Sequence, residues 1–230
     1  MQHAPEQVAQ LPDETDPPER DSLTRAIAEV DRDGWSTVRL GIGDIATVAA
    51  SAQLRVVTWR GNAVEILKPI LPNQARRRSL SAHHGLGEFP MHTDAAHWAR
   101  PPRYVVLQCI SAFSPTPTKL LRFPPLPIDV ESACRQGIFL VGWGRNAFHA
   151  TISDGHRIRF DPGCMKPLDH QAWGVATYLE KAAGQAVEFH WNRPELSLII
   201  DNHATLHGRG HVVDPQRRRL ARIYLEVDSD

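Results

Sequence analysis

From residue 91 onward, short apolar segments with the patterns of β-strands dominate the chain. Residues 104–110 form an apolar run that predicts a buried strand. The pair Asp154-Gly155 predicts a hairpin turn, after which Ile158 and Phe160 alternate along a returning strand at 156–161. Further strands are predicted at residues 35–40, 64–70, 119–123, 139–143, 148–153, 187–191, 196–200 and 220–227. A chain with so many short strands must fold mainly as β-sheet.

Helical periodicity is confined to a few segments. Apolar residues recur at helical spacing over residues 23–30, residues 45–54 predict a second short helix, and residues 129–136 predict a weak one. Residues 73–90 are predicted to be a long loop. A longer helix is predicted at 170–183, with Asp169 as its N-cap and with Trp173, Ala176, Leu179 and Ala183 on one face. Many strands with few helices predict a double-stranded β-helix, or jelly roll, with the helices packed outside.

Length and composition fit one domain at residues 20–230, preceded by a proline-containing flexible tail at residues 1–19. Lys+Arg and Asp+Glu both number 26, and this balance counts against a nucleic-acid partner. No apolar stretch is long enough for a membrane helix, and the N-terminus has no features of a secretory signal. The three cysteines are widely spaced and predict no disulfide framework, so a cytoplasmic location is the simplest expectation.

Two distant fragments of the chain could form one metal site. His92 and Asp94 are two residues apart and would point the same way from a strand, while His207 is expected just past the end of the strand at 196–200. Two histidines and one carboxylate can hold a metal on one face and leave the opposite face open. Arg218 and Arg222 follow His207 by 11 and 15 residues and could hold an acidic co-substrate. Each fragment alone is a weak signal in a chain with 12 histidines, and the ordered combination carries the prediction.

These fragments resemble the taurine dioxygenase and clavaminate synthase-like family of Fe(II)/2-oxoglutarate-dependent oxygenases. The matching segments are residues 89–94, 101–104, 201–209 and 218–224. The resemblance implies that His92, Asp94 and His207 bind Fe(II). It also implies that Arg218 pairs with the distal carboxylate of 2-oxoglutarate.

Two further site residues come from the same resemblance. Arg222 would lie near the co-substrate or near an anionic group of the substrate. A threonine after the His-x-Asp strand would bind the co-substrate carboxylate, and Thr118 is the nearest, with Thr116 as the alternative. The Gly-Gly-Asp-Thr segment usual in the family is missing here. A carboxylate at position 94, where related halogenases have a small residue, favours hydroxylation, desaturation or a similar oxidation with O2.

The resulting hypothesis is a dioxygenase that most simply hydroxylates a C–H bond of a small molecule. A demethylase of the same chemistry acting on a macromolecule, a zinc-dependent hydrolase and a non-catalytic binding module are the alternatives. Among other polar residues, Asn202 is expected to orient the turn that carries His207. His83 and His84 are either an exposed pair or pocket residues, and the Arg76-Arg77-Arg78 run is most simply a solvated one.

Overall fold

A computed structural model describes residues 19–59, 61–111, 113–123 and 126–228. The predicted tail therefore lies almost wholly outside the described residues, and the first helix begins at Glu19. The described residues form five α-helices and thirteen β-strands, so the predicted predominance of β-structure is confirmed. The helices are α1 (Glu19–Asp33), α2 (Ile42–Val48), α3 (Leu80–His84), α4 (Ile128–Gln136) and α5 (His170–Ala182). No helix within these ranges is long and apolar enough to cross a membrane.

The strands form three sheets, all of them antiparallel. A six-stranded sheet contains β1 (Trp35–Val38), β2 (Leu54–Val57), β3 (Glu65–Leu67), β5 (Tyr104–Cys109), β11 (Ser197–Asp201) and β13 (Leu220–Val227). A four-stranded sheet has the order β10 (Val187–Trp191), β6 (Ser114–Arg122), β12 (Thr205–Arg209) and β4 (Phe89–His92). A small sheet has the order β8 (Phe148–Ala150), β7 (Phe139–Val141) and β9 (Met165–Pro167).

Strand β5 shows why the central strands are apolar throughout. Its side chains at 105 and 107 pack between the six-stranded and four-stranded sheets, against residues such as Leu120 and Trp191. Its side chains at 104 and 106 point the other way and pack against α1 and α2. A strand covered on both faces loses the alternation of apolar and polar residues. The third apolar cluster lies between the small sheet, α4, α5 and the outer face of the four-stranded sheet.

Several local predictions differ from the structure, including the helix at 45–54, because α2 ends at Val48 and β2 begins at Leu54. The segment 73–90 contains helix α3, which is capped by the Ser79 side chain. Residues 156–161 form one isolated bridge, between Ser153 and Ile158, and no continuous strand. The turn before Ile158 is held by the Asp154 side chain, which accepts from the backbone N–H groups of residues 156 and 157. His207 lies inside β12 and not after a strand end. Asp169 caps α5 as predicted, but Trp173 is 59% exposed. The buried face consists of Ala172, Val175, Leu179 and Ala182.

Candidate metal centre

The pairing of β4 with β12 brings together two fragments that are far apart in the sequence. His92 and His207 are direct partners in the antiparallel register, and their ring centroids are 4.6 Å apart. Asp94 follows β4, and its Oδ1 atom lies 3.6 Å from His92 Nε2 and 3.7 Å from His207 Nε2. One ligand atom from each of the three residues lies within 4.8 Å of the others, and all three side chains are buried. The structure therefore assembles the predicted trio into a group with the size and composition of a metal site.

Hydrogen bonds, burial and neighbouring charges fix the three side chains and shift their pKa values. The Nδ1 atom of His92 is 2.9 Å from the carbonyl oxygen of Pro90, which leaves Nε2 facing the site. Burial lowers the pKa of His207, and the adjacent His92 lowers it further, which favours the neutral ring. Burial acts in the same sense on His92, but the neighbouring Asp94 and the charge of Asp161 outweigh it and raise the pKa of His92. Burial opposes ionisation of Asp94, but the charge of Arg222 and the two nearby histidines hold its pKa well below the usual value.

The backbone of Asp94 is fixed by Asn202. The side-chain Oδ1 of this asparagine accepts a hydrogen bond from the backbone N–H of Asp94 at 2.7 Å. Its Nδ2 donates to the carbonyl oxygens of Asp94 at 3.1 Å and of Pro102 at 3.0 Å. Sequence analysis predicted that Asn202 orients the turn that carries His207. In the structure, its side chain instead bonds to the backbone of Asp94 and Pro102.

The carboxylate of Asp94 is also held from its far side. The Nη1 atom of Arg222 donates to Asp94 Oδ2 at 2.8 Å, and its Nη2 donates to Glu65. Glu65 lies opposite Arg222 in the pairing of β3 with β13. Arg222 thus lies next to the trio, and two carboxylates of the protein already bind its guanidinium. Sequence reasoning missed Glu65, since a single glutamate in a short strand carries no signal of its own.

A second buried arginine has no acidic partner in the described part of the chain. Arg218 is only 5% exposed, its Nη2 donates to Thr118 Oγ1 at 2.9 Å, and its Nη1 is buried without a partner. Trp191 Nε1 also donates to Thr118 Oγ1, at 3.0 Å. Because Thr118 Oγ1 accepts two bonds, its own hydroxyl proton remains free to be donated. Burial lowers the pKa of Arg218 to about 9, so the guanidinium is a cation at neutral pH.

The trio and the buried arginine share a cavity of about 430 Å³. Thr118 lines it together with the apolar side chains of Leu107 and Leu220. Thr116 is not among the lining residues, and its hydroxyl accepts a hydrogen bond from Val213 N–H at 3.3 Å. Thr118, and not Thr116, therefore belongs to the wall of the cavity. The cavity is lined neither by His83 nor by His84.

Arg209 forms another part of the cavity wall that sequence analysis assigned no role. It is 8% exposed, and its Nη2 donates to the carbonyl oxygens of Gly85 and Gly87, both at 2.6 Å. Its guanidinium carbon lies 3.6 Å from the ring centroid of Phe89. Arg209 therefore ties the turn before β4 to β12, the two strands that carry the histidines.

Comparisons with known proteins identify the fold. No family model and no curated protein matches the sequence. A solved structure of an asparagine oxygenase with Fe(II), 2S,3S-3-hydroxyasparagine and succinate superposes with a TM-score of 0.70 and 18% identity, covering 90% of this chain and 80% of that one. The non-haem iron oxygenase OrfP with Fe, succinate and (3S)-hydroxy-L-Arg gives 0.68 and 16%, covering 91% and 81%. PvcB, an Fe, α-ketoglutarate-dependent oxygenase, gives 0.63 and 16%, covering 89% and 82%. The chain has the fold of these oxygenases, which supports the resemblance noted in the sequence.

Proposed function

We propose that the protein is an Fe(II)- and 2-oxoglutarate-dependent dioxygenase that hydroxylates a C–H bond of a small molecule. The observation that carries this proposal is the combination in one cavity of the His92, Asp94 and His207 trio with a buried arginine that has no acidic partner. A metal site alone would leave that arginine unexplained. A co-substrate acid explains both features.

The trio fits Fe(II) by its donor chemistry. Two neutral imidazoles and one carboxylate form the facial set typical of non-haem iron oxygenases, with coordination positions left open for small ligands. When bound with 2-oxoglutarate, the iron would supply the activation of O2 that oxidises the substrate, while the co-substrate becomes succinate and CO2. The protein's own contribution would be to orient the three ligands, through Asn202 and Arg222 on Asp94 and through the Pro90 carbonyl on His92.

Arg218 and Thr118 fit the distal carboxylate of 2-oxoglutarate. A buried guanidinium with a free Nη1 needs an anion, because an unpaired buried charge is costly. The hydroxyl of Thr118, which lies next to Arg218, would donate a second hydrogen bond to this carboxylate. The indole N–H of Trp191 donates to Thr118 Oγ1 and so fixes the orientation of the hydroxyl. We assign Arg222 to the positioning of Asp94, because its two terminal nitrogens already donate to Asp94 and Glu65.

The type of reaction and substrate follow from the same site. The carboxylate at position 94 occupies the place that a halide would need, and so favours hydroxylation over halogenation. A cavity of about 430 Å³ suits a small molecule. The ligands in two of the similar structures are hydroxylated amino acids, so a free amino acid or a related metabolite is the first class to test.

The proposal includes the jelly-roll architecture and the cytoplasmic location predicted from the sequence. The six-stranded and four-stranded sheets that enclose one apolar cluster support the double-stranded β-helix as the architecture. Cys109, Cys134 and Cys164 are free and buried, in keeping with a predicted cytoplasmic location.

The alternatives explain less of the cavity. A zinc hydrolase could use the trio, but it has no use for a buried arginine and threonine aimed at an anion. A demethylase acting on a macromolecule would need an open binding groove, and the balanced charge of the chain counts against nucleic acid. A non-catalytic module would not require an ordered set of metal ligands.

The decisive test uses visible spectroscopy without O2. We expect Fe(II) plus 2-oxoglutarate to give a weak charge-transfer band that neither component gives alone. His207→Ala should remove the band, because the metal loses a ligand. His203→Ala is the matched control, since His203 bonds to the Pro101 carbonyl and lies outside the cavity lining. Absence of the band in the unmodified protein, under conditions where Fe(II) is shown to bind, would overturn the proposal.

A further inference from the structure

Aromatic rings form a continuous series from the metal centre to the protein surface. Tyr224 lies at the inner end, and its ring centroid is 4.8 Å from the guanidinium carbon of Arg222, which donates to Asp94. The centroid of Trp98 is 5.7 Å from that of Tyr224. The ring of Trp59 stacks on Trp98 with a centroid distance of 4.7 Å, and Trp59 is 37% exposed. Ring contacts therefore connect the buried site with solvent.

Trp98 is also connected to a metal ligand through the backbone. It lies four residues after Asp94, and its backbone N–H donates to the carbonyl oxygen of Ala95 at 2.8 Å. Its indole Nε1 is buried and has no hydrogen-bond partner in the described part of the chain. Because the indole proton has no acceptor, this ring can lose an electron without losing a proton.

Trp59 is fixed at the outer end of the series. Its backbone N–H and C=O groups bond to those of Asn62 at 2.9 and 3.0 Å. Trp59 and Tyr224 both line a second cavity, of about 190 Å³. Trp98 lines neither this cavity nor the one at the metal site. A diffusing oxidant would therefore reach Trp59 through the cavities, whereas an electron that follows the ring contacts has to pass through Trp98.

The proposed reaction gives such a series a use. An oxygenase that activates O2 without a bound primary substrate exposes its own ligands to a strong oxidant, and the protein must exclude this competing reaction. The imidazole rings of His92 and His207 are the side chains at risk. Indole rings give up an electron more readily than imidazole rings do. Trp98 and Trp59 are thus better electron donors than the ligands they would protect.

We propose that Trp98 and Trp59 form an electron-transfer path that reduces the metal centre from the protein surface when no primary substrate is bound. This inference rests on the proposed oxygenase function and adds a protective activity to it. The oxidant at the metal centre accepts one electron from Trp98, and Trp98 recovers one from Trp59. A one-electron reductant in solution, such as ascorbate, then returns the electron to Trp59. No bond forms or breaks in either indole.

The test follows where oxidation products accumulate. The Fe(II)-loaded protein is treated with hydrogen peroxide without a reductant, and peptide mass spectrometry locates the products. Trp59 then loses two electrons in all, adds water and releases two protons to become hydroxytryptophan. By exposure alone Trp173, at 59%, should be oxidised more than Trp59, at 37%. We expect the reverse order in the Fe(II)-loaded protein and the order of exposure in the metal-free protein.

Trp98→Phe removes the indole and keeps a ring in the stack. Oxidation of Trp59 should fall below that of Trp173, while oxidation of His92 and His207 should rise. A looser stack would expose Trp59 and raise its oxidation by diffusion, so the sign of the change separates the two routes. Undiminished oxidation of Trp59 in Trp98→Phe would refute the path, and so would a preference for Trp173 in the unmodified protein with bound Fe(II).

Two further variants complete the experiment. Trp35→Phe is the matched control, because Trp35 packs against the same apolar cluster from β1 and lies outside the series, and it should keep the preference for Trp59. Trp59→Phe acts at the exposed end, where a substitution disturbs the core least. Ascorbate should protect His92 and His207 from peroxide in the unmodified protein but not in Trp59→Phe. Equal protection in both proteins would also refute the path.

Failure of this inference can be told apart from failure of the proposed function. Peroxide reacts at bound Fe(II) without 2-oxoglutarate, so the order of oxidation tests the path alone, while the charge-transfer band tests the co-substrate. If the band forms but Trp173 is oxidised more than Trp59, only the path is wrong. If Trp59 is oxidised more than Trp173 but the band does not form, the path stands and the oxygenase proposal fails.

Discussion

Replacing Asn202 by alanine tests whether the site depends on the orientation of one backbone segment. The asparagine is fully buried, and its side chain makes three hydrogen bonds, two of them to the backbone of Asp94. Alanine would leave one N–H and two carbonyls unpaired in the protein interior. At roughly 1–1.5 kcal/mol for each bond, the loss in the free energy of unfolding is about 3–4.5 kcal/mol. A typical domain has about 5–15 kcal/mol, so the variant can still fold.

The same change should weaken metal binding by roughly 10- to 100-fold, because groups that orient a ligand contribute on that scale. Co(II) titration of the metal-free protein under nitrogen measures this affinity, and urea denaturation measures stability. Gln108→Ala is the matched control. Gln108 also bridges backbone groups, accepting from Ile42 N–H at 3.0 Å and donating to the Pro194 carbonyl at 3.3 Å, but it does not line the cavity.

The control should lose stability and keep its Co(II) affinity. Asn202→Ala should lose both. If Asn202→Ala is destabilised as calculated but binds Co(II) like the unmodified protein, the asparagine holds the fold and not the ligand, and the reasoning about Asp94 is refuted.

Three further predictions concern the ligands of the site. Arg218→Ala should weaken 2-oxoglutarate binding by about 1–3 kcal/mol in calorimetry, and an unchanged affinity would remove Arg218 from the co-substrate site. In Thr118→Val the loss should be smaller, since one neutral donor is removed, and a loss larger than that of Arg218→Ala would reverse the assigned roles. The pKa of His92 is raised, and a metal needs the neutral ring, so Co(II) affinity should fall by up to about tenfold per pH unit below that pKa. The free energy of unfolding of the metal-free protein should change in the opposite direction with pH. The stabilisation by protonated His92 is fully present below the unfolded pKa of this residue and disappears as the pH rises through its folded pKa. Affinity that is flat between pH 5.5 and 8 would contradict the linkage.

Local sequence patterns predicted the elements whose signal lies within a few residues. Asp169 was identified as an N-cap because an aspartate just before a segment with helical periodicity commonly accepts a hydrogen bond from the first turn of the helix. Its side chain accepts from Ala172 N–H as expected. Strand β5 was identified because burial on both faces leaves a run of apolar residues. The His92 and Asp94 pair was recognised because residues two positions apart on an extended chain point the same way and can bind one metal.

The features that sequence analysis missed depend on pairing between distant segments. Strand β12 has no alternation of apolar and polar residues, since all five of its residues are buried, and only its pairing with β4 and β6 defines it. The buried face of α5 was misplaced because Trp173 is large and apolar, while the packing against α4 selects a neighbouring stripe that contains small alanines. The contact between Arg222 and Glu65 joins residues 157 positions apart.

The division of labour between the two arginines follows from strand geometry. Arg218 and Arg222 are four residues apart, so on an extended chain they point to the same face and reach different points of one cavity. The register of β13 with β3 places Glu65 opposite Arg222 and so neutralises that guanidinium within the protein. Arg218 precedes β13, lies outside this pairing and remains uncompensated. A buried charge without a partner lowers stability, and a chain retains such a residue where a ligand restores the balance. Binding of 2-oxoglutarate should therefore stabilise the folded protein through Arg218 more than through any other side chain of the cavity.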